Sequence, residues 1–413
     1  MSPPLPRFPF QWTLNPGYRQ KAAYGPRQSA VLNRENLEAA RRCISAWPGY
    51  KPTPLVELPG LAGALQIDRL WYKNEAERFG LRSFKPLGGA YAVQQCLLRE
   101  VAARTGRDDV DPRELLDGTH KAIVSQVTVT AATDGNHGRS VAWGARMFGC
   151  RCVIYINEAV TVAREEAIAA YGAEVRRNPG SYDDAVREAF AVARRESWHV
   201  IPDTPGAEVG DSAAVTAARD VTQGYAVMAA EILDQLEGGP LPTHVFLQAG
   251  VGGMAAAVCG TLWEALGDAR PQTILVEPEQ CACWLASLDK QTPTAITGDT
   301  DSFMSGLACG EVSRLAWEIL QPEAAEMIAL SDAAAAETMR LLAEGLDGDP
   351  PLVAGESGVA GVAALIALAQ DADAGGGVGF GDDARVLVIG SEGATDEAMY
   401  EQVVGRPWRE VAA

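Results

Sequence analysis

The chain of 413 residues has few histidines and fewer basic than acidic side chains. Its 4 histidines include no pair one helical turn apart, which argues against a transition-metal site, and we expect no metal. Lysine and arginine number 35 against 54 acidic residues, which gives a net charge of −19. An acidic surface repels phosphate backbones, so nucleic acids and anionic membrane surfaces are poor candidate partners.

The sequence also lacks a long apolar run and zinc-type cysteine spacing. No stretch approaches about 18 uninterrupted apolar residues, and the N-terminal MSPPLPRFPFQW has no apolar core typical of a signal peptide. The 8 cysteines include two C-x-C pairs, neither spaced like a zinc knuckle. We therefore expect a cytoplasmic protein whose cysteines are mostly buried, reduced thiols.

What the chain does contain is an alternation of short apolar runs with longer alanine-rich runs. This spacing is typical of βαβ units, and the length suggests two or more domains. The predicted strands are Leu70–Lys73, Ala122–Val124, Cys152–Ile156, Glu174–Arg176, Val200–Ile201, His244–Gln248, Thr273–Val276 and Arg385–Ile389. The predicted helices are Gly89–Ala103, Gly138–Phe148, Val162–Tyr171, Ser181–Glu196, Gly224–Leu236, Gly253–Leu266, Ala333–Glu344 and Gly358–Gln370. The fold class is therefore α/β, with mostly parallel sheets flanked by helices.

A lysine precedes a glycine pair in SFKPLGGAYAV, residues 83–93. Lys85 lies directly before a proline and the two glycines, where a helix is predicted to begin. A surface lysine needs no such setting, whereas a lysine that reacts with a bound group requires small neighbours around it.

A second glycine stretch, TAATDGNHGRSVAWGARMFG at residues 130–149, places a turn before a predicted helix. The unpaired amides and the positive dipole end of such a helix form a site for a small anion, for example a carboxylate. The alternative is an Asx-type turn that only closes the connection.

The third stretch, VFLQAGVGGMAAAVCG at residues 245–260, reads as strand, glycine turn and helix, and its backbone amides could hold a phosphate. It also matches G-x-G-x-x-A, with Glu277 at the end of the next predicted strand as a candidate ribose partner. An NAD(P)-dependent dehydrogenase is therefore an alternative. A lysine, a carboxylate loop and a phosphate turn together favour a pyridoxal 5′-phosphate enzyme acting on an amino acid.

Five motifs carry a resemblance to a known family: RFGLRSFKPLGG, TDGNHGRSVAW, QAGVGGMAA, SGLACGE and GESG. They resemble the diaminopropionate ammonia-lyases, which belong to the fold-type II, tryptophan-synthase-β-like enzymes that use pyridoxal 5′-phosphate. By this resemblance Lys85 is bonded to the cofactor aldehyde, Asn136 contacts its 3′-oxygen, and Ser391 faces its pyridine nitrogen. The phosphate would be bound by Gly250, Val251, Gly252, Gly253 and Met254.

The resemblance also implies a substrate site, with Thr133, Asp134, Gly135, His137 and Asp203 as its residues. Asp134 would act as a second catalytic base opposite Lys85, which would let either enantiomer lose its Cα proton; the alternative is a residue that only caps the turn. Asp203 would bind the β-ammonium group, or would be a turn aspartate before proline. His137 would assist proton transfer, or would be a packed structural imidazole.

The implied activity is α,β-elimination from D- or L-2,3-diaminopropionate, giving pyruvate and two ammonia. Segment 204–222 departs from the family pattern, so a serine or threonine dehydratase, or a β-replacement enzyme, stays an alternative, as does a catalytically silent ligand-binding relative. The resemblance implies a large cofactor-binding domain of residues 1–88 and 205–413, a small domain of residues 89–204, and a homodimer.

Overall fold

The computed structural model describes residues 5–133, 135–203, 212–298 and 300–412. The chain forms two compact units. The first unit comprises Met1–Asn33, Pro52–Ser83 and Met228–Ala413, and the second comprises Arg34–Lys51 and Phe84–Val227. The predicted domain division at residues 88 and 204 stays a prediction; the compact units differ from it in the placement of Arg34–Lys51, of residues 84–88 and of residues 205–227.

The regular elements alternate along most of the chain. The strands are β1 Phe10–Leu14, β2 Leu55–Glu57, β3 Arg69–Asn74, β4 Thr128–Ala132, β5 Arg151–Ile156, β6 Glu174–Arg177, β7 His199–Val200, β8 His244–Gln248, β9 Gln272–Pro278, β10 Ala324–Leu330 and β11 Arg385–Gly390. The helices are α1 Pro26–Ser29, α2 Arg34–Ser45, α3 Pro59–Leu65, α4 Lys85–Thr105, α5 Arg113–Leu116, α6 Lys121–Val124, α7 Asn136–Phe148, α8 Val162–Ala169, α9 Tyr182–Glu196, α10 Ser212–Gln235, α11 Gly253–Leu266, α12 Cys283–Asp289, α13 Arg314–Glu323, α14 Asp332–Glu344, α15 Ala360–Ala369, α16 Ala372–Gly377, α17 Glu397–Val404 and α18 Trp408–Val411.

The first unit contains a sheet of seven strands in the order β1-β10-β9-β8-β11-β3-β2. Its five inner strands are parallel, and the two edge strands, β1 and β2, run antiparallel to their neighbours. Strands β8 and β10 are buried along their whole length, as expected for parallel strands with both faces covered. Since β8 and β11 are parallel neighbours, their carboxyl ends lie side by side.

The second unit contains a parallel sheet of four strands in the order β6-β5-β4-β7. Small residues let helices α4 and α7 of this unit pack closely. A Cβ added to Gly89 would lie 1.9 Å from the Ser140 hydroxyl oxygen, and one added to Gly144 would lie 2.7 Å from the Ala90 Cα. This contact fixes the start of α4, with Lys85, against the helix that carries Asn136.

The predicted α/β class with parallel sheets and flanking helices is confirmed. One predicted strand is wrong, because Ala122–Val124 belongs to helix α6, and the strand begins later, at Thr128. The glycine-rich stretch 371–383 contains helix α16, whose first amides are capped by the Asp371 side chain. Strands β1, β2 and β10 were not predicted.

Within the described part of the chain, no helix combines the length and the apolar character needed to cross a bilayer. The 8 cysteines are free thiols, six of them buried.

Candidate functional site

Lys85 is the first residue of α4, directly after Phe84 at its N-cap. Its side chain is 15% exposed, and its ammonium group forms an ion pair with Asp203 Oδ2. The nitrogen also lies 5.3 Å from the ring centroid of Phe84 and 5.8 Å from that of Tyr225. Lys85 is therefore enclosed by two aromatic rings and held by one carboxylate, which is a specific setting for a reactive amine.

The Asp203 carboxylate is fixed from a second direction by Tyr225 of α10, whose hydroxyl donates to Oδ1 over 3.1 Å. Burial alone raises the pKa of Asp203, but Lys85, His137 and the hydrogen bonds from Lys85 and Tyr225 outweigh it and lower the pKa to about 2. The carboxylate is thus ionised at neutral pH. It is suited to bind ammonium groups, as it does with Lys85.

His137 lies beside the same carboxylate, in the first turn of α7, and is buried. Its Nε2 is 2.8 Å from the Ile201 carbonyl oxygen, which can only accept, so Nε2 carries a hydrogen. Burial lowers the pKa of His137, which favours a neutral ring with a lone pair on Nδ1. That nitrogen is 3.6 Å from Asp203 Oδ1 and makes no hydrogen bond to a described residue. The two alternative roles of His137, proton transfer and packing, stay predictions.

The predicted anion loop lies at the carboxyl end of β4 and leads into α7. The Thr133 hydroxyl oxygen accepts from the amides of Gly135 and Gly138, over 3.0 and 3.1 Å, and so fixes the turn. Asn136 is the first residue of α7, and a helix of 13 residues directs its amino end towards this loop. Asp134 lies outside the described residues.

The glycine turn of the first unit connects β8 to α11. Gly252, the N-cap of α11, has φ +100°, which favours glycine, and a Cβ there would lie 2.4 Å from the Trp284 ring and 2.9 Å from Ala316 Cβ. Because Gly252 has no side chain to accept from the first amides of α11, these N–H groups remain available to a bound anion.

Two carbonyl oxygens of this turn accept hydrogen bonds from other segments of the same unit. Trp284 Nε1 donates to the Gly250 oxygen over 3.0 Å, and the Ser313 amide donates to the Val251 oxygen over 2.9 Å. Carbonyl oxygens would repel a phosphate, so holding them in these bonds favours presentation of the amides.

Ser391 follows β11 directly and is 2% exposed. Its hydroxyl oxygen lies 2.9 Å from Nε2 of Gln248, the last residue of β8 and two residues before Gly250. The predicted phosphate turn and the predicted pyridine partner thus lie at the carboxyl ends of neighbouring parallel strands, where α/β sheets usually bind their ligands.

The SGLACGE and GESG motifs form a hydrogen-bonded cluster in the same unit. The Gly306 amide donates to the Ser357 hydroxyl over 3.0 Å, and the Ser357 amide donates to Glu392 Oε1 over 3.0 Å. A Cβ on Gly250 would lie 3.2 Å from the Gly306 carbonyl oxygen. These motifs therefore build the wall beside the glycine turn and join it to the segment that carries Ser391.

Glu277 does not have the role that a dehydrogenase requires. It is fully buried, and its two oxygens accept from the amides of Trp284 and Leu285 over 3.0 and 2.8 Å. Burial raises the pKa of Glu277 to about 8, against the opposing hydrogen bonds. A buried carboxyl that binds the first amides of α12 is not free to bind a ribose. The NAD(P)-dependent dehydrogenase alternative therefore loses its supporting residue.

The second unit thus brings Lys85, His137 and Asp203 together, and the first unit brings the glycine turn to Ser391. Three further residues have no sequence signal: Tyr225, Trp284 and Gln248. Each acts on a residue distant in the chain, so no local spacing could have identified it. The sequence shows only the counterparts of two of them, the glycines at 88 and 252, whose lack of a side chain leaves room for the Tyr225 and Trp284 rings.

Comparison with known proteins agrees with this arrangement. A family model described as "Pyridoxal-phosphate dependent enzyme" matches residues 46–391. The diaminopropionate ammonia-lyase of Escherichia coli (strain K12) is 38% identical over 382 residues, which cover 91% of this chain and 93% of that protein. The crystal structure of the Escherichia coli enzyme with an aminoacrylate-PLP azomethine reaction intermediate has a TM-score of 0.84 at 34% identity, covering 96% of this chain and 97% of that one. The complex of that enzyme with D-serine has a TM-score of 0.86 at the same identity and coverage. Because these matches span nearly the whole sequence, the chain belongs to the diaminopropionate ammonia-lyase family of pyridoxal-phosphate dependent enzymes.

Proposed function

We propose that this protein is a carbon–nitrogen lyase that uses pyridoxal 5′-phosphate to eliminate ammonia from 2,3-diaminopropionate. The Cα–H bond and the bond from Cβ to nitrogen break, and the unsaturated product hydrolyses to pyruvate and a second ammonia. The observation that carries the proposal is the ion pair of Lys85 with Asp203, in a chain that matches this family over 91% of its length. It places an enclosed amine beside a carboxylate suited to a second ammonium group.

The residues present fit the cofactor. The first amides of α11 form a place for its phosphate, since Gly252 leaves them uncapped and Trp284 and Ser313 hold the turn's carbonyl groups away. Ser391 offers a neutral hydroxyl for the pyridine nitrogen, and Asn136 would contact the 3′-oxygen. When bound, pyridoxal 5′-phosphate supplies an electron sink for the charge that develops at Cα.

Lys85 would hold the aldehyde and, once displaced by the substrate amine, remove the Cα proton on its own face. Asp134 would remove it from the opposite face. Asp203, ionised because of its low pKa, would bind the β-ammonium group of the substrate and release it as the bond to Cβ breaks. The buried Nδ1 of His137 would accept or return a proton at that carboxylate.

The substrate carboxylate would bind in the loop before α7. Thr133 fixes this loop through its bonds to the amides of Gly135 and Gly138, and the dipole of α7 favours an anion there. These contacts would orient Cα towards Lys85.

A second candidate function is dehydration of serine or threonine, or a β-replacement on a related amino acid. The departure from the family pattern in segment 204–222 favours it, because this segment follows Asp203 directly. Residues 204–211 of that segment lie outside the described residues, and α10 begins at Ser212.

We also infer that the protein acts in the cytoplasm as a homodimer, which the family resemblance and the free cysteines support. Light scattering during gel filtration measures this directly. A mass of one chain would contradict the dimer.

The function is tested with the purified chain and pyridoxal 5′-phosphate. D- and L-diaminopropionate, D- and L-serine and L-threonine are supplied separately, and pyruvate or 2-oxobutyrate and ammonia are quantified. We expect two ammonia per pyruvate from diaminopropionate, with a higher kcat/KM than for serine. A preference for serine with one ammonia per pyruvate would establish the dehydratase instead.

Lys85→Ala tests the role of the amine. The variant should lose the visible absorbance band of the bound cofactor and at least ~10²-fold in kcat. Lys121→Ala, at an exposed lysine of the same unit, is the matched control and should behave as wild type. A folded Lys85→Ala protein that keeps both band and activity would contradict the proposed function.

A further inference from the structure

The buried side chain of Gln248 bridges the ends of two parallel strands. Its Nε2 lies 2.8 Å from the carbonyl oxygen of Ile389 and 2.9 Å from the hydroxyl oxygen of Ser391. Both Gln248 and Ser391 are 2% exposed, so neither bond has water as a ready substitute.

Chemistry fixes the orientation of this amide. The Ile389 carbonyl oxygen can only accept, so the group facing it must be the NH₂ end of Gln248. The same nitrogen faces Ser391, and therefore donates to its hydroxyl. Ser391 Oγ thus acts as an acceptor towards Gln248, and its own hydrogen is free to donate elsewhere.

The other end of the amide shows how strongly this orientation is imposed. Gln248 Oε1 is buried and has no hydrogen-bond partner among the described residues. Its nearest surroundings include Gly361, where a Cβ would lie 3.5 Å from Oε1. A buried acceptor without a donor is destabilising, yet reversing the amide would place Oε1 against the Ile389 oxygen, and two acceptors facing each other cannot form a hydrogen bond.

We propose that Gln248 is a positioning residue that makes Ser391 a hydrogen-bond donor to the pyridine nitrogen of the cofactor. The inference rests on the proposed function, since it requires Ser391 to face that nitrogen. A donor hydroxyl at this position stabilises a nitrogen with a free lone pair and disfavours a protonated one. The protonation state of the ring is then set by a residue that does not contact it.

The test replaces Gln248 with an acceptor of the same shape. In Gln248→Glu the oxygen that replaces Nε2 carries at most one hydrogen, and the Ile389 carbonyl oxygen takes it. This oxygen therefore accepts from Ser391, which turns the serine hydrogen away from the cofactor. The full-length protein is loaded with pyridoxal 5′-phosphate labelled with ¹⁵N in the ring, and the ¹⁵N chemical shift and cofactor Kd are measured. We expect an unprotonated nitrogen in wild type, a shift towards the protonated value in the variant, and about tenfold weaker cofactor binding.

Gln272→Glu is the matched control. Gln272 begins the neighbouring strand β9 and also donates to a backbone carbonyl, that of Val378, over 2.7 Å, but at the opposite end of the sheet. This variant should keep the wild-type ¹⁵N shift and Kd. An equal change in both variants would mean that any added carboxylate in the sheet produces the effect, and would overturn the proposal.

A double-mutant cycle provides a second test if Gln248→Glu does not fold. Gln248→Leu and Ser391→Ala are each expected to weaken cofactor binding, and the double variant should bind no more weakly than Ser391→Ala alone. Additive losses would show that Gln248 acts through packing and not through Ser391. A protonated ring nitrogen in wild type would also overturn the inference, whereas a wild-type chain that binds no pyridoxal 5′-phosphate would instead contradict the proposed function.

Discussion

The Tyr225 hydroxyl donates a hydrogen bond to Asp203 Oδ1, while the other oxygen of that carboxylate pairs with Lys85. The Tyr225 ring lies edge-on to Phe84, with 4.7 Å between centroids, and occupies the space that a side chain at Gly88 would need. The Tyr225 hydroxyl therefore holds the Asp203 carboxylate, and the Tyr225 ring encloses the Lys85 amine. A mutation to phenylalanine removes the first contact and keeps the second.

Tyr225→Phe keeps the ring and removes the hydrogen bond to Asp203. Fewer donors to the ionised form should raise the pKa of Asp203, so the acidic limb of the kcat/KM profile should move to higher pH. We expect about a tenfold lower kcat/KM at neutral pH, because a bond to a charged group contributes about 1.5–3 kcal/mol. A pH series of kcat/KM with diaminopropionate measures both effects.

The control is Tyr91→Phe, which removes another buried tyrosine hydroxyl from the same unit, on helix α4. It should leave the acidic limb unchanged. If Tyr225→Phe lowers the rate equally at every pH and Tyr91→Phe does the same, the hydroxyl has no specific effect on Asp203.

The parts of this site that the sequence predicts are those encoded locally. Glycine at 252 and the helix after it are consecutive, and Lys85 precedes its own helix, so spacing alone identifies them. Gln248 and Ser391 are 143 residues apart, and a glutamine at a strand end has no special pattern. Only the parallel pairing of β8 and β11 brings them together, and single-sequence periodicity does not give strand order.

The incorrect strand at Ala122–Val124 has a similar cause. Isoleucine and valine in a short apolar run favour a strand, and periodicity does not separate a strand from a buried helical turn at that length. The run instead forms α6, and only Val124 of that helix is buried. In the structure α6 packs against helix α4, and this tertiary contact outweighs the local strand propensity.

Asp134→Asn should separate the two enantiomers of the substrate. Under the proposed function Lys85 would act on one face of the cofactor, so D-substrate elimination would depend on a base on the other face. Losing a general base typically costs ~10²–10⁴-fold, and we expect this loss for D-diaminopropionate, with much of the L-activity retained. The measurement is kcat/KM for both enantiomers.

Asp108→Asn, at an exposed aspartate, controls for the change of charge and should affect neither enantiomer. Equal losses on both enantiomers in Asp134→Asn would indicate a shared or structural role. A wild type inactive on D-substrate would show that this chain uses one base only.

Glu326 on β10 gives a prediction about stability and pH. It is fully buried, and neither carboxyl oxygen has a hydrogen-bond partner among the described residues. Burial, with a smaller effect of Asp371, raises the pKa of Glu326 from 4.5 to about 8. The folded chain therefore keeps this proton over a pH range in which the unfolded chain has lost it.

Because the folded state binds more protons there, stability should fall as the pH rises from 4.5 to about 8, by at most ~1.4 kcal/mol per pH unit. Glu326→Gln is neutral at every pH and removes this dependence. The variant should match wild type near pH 4.5 and have the higher Tm at pH 8, with the difference growing between these values. Thermal unfolding of both proteins across this range measures it, and Glu158→Gln, at an exposed glutamate, is the control for the substitution itself. A constant Tm difference at all pH values would mean that Glu326 affects packing alone and that its proton is not linked to folding.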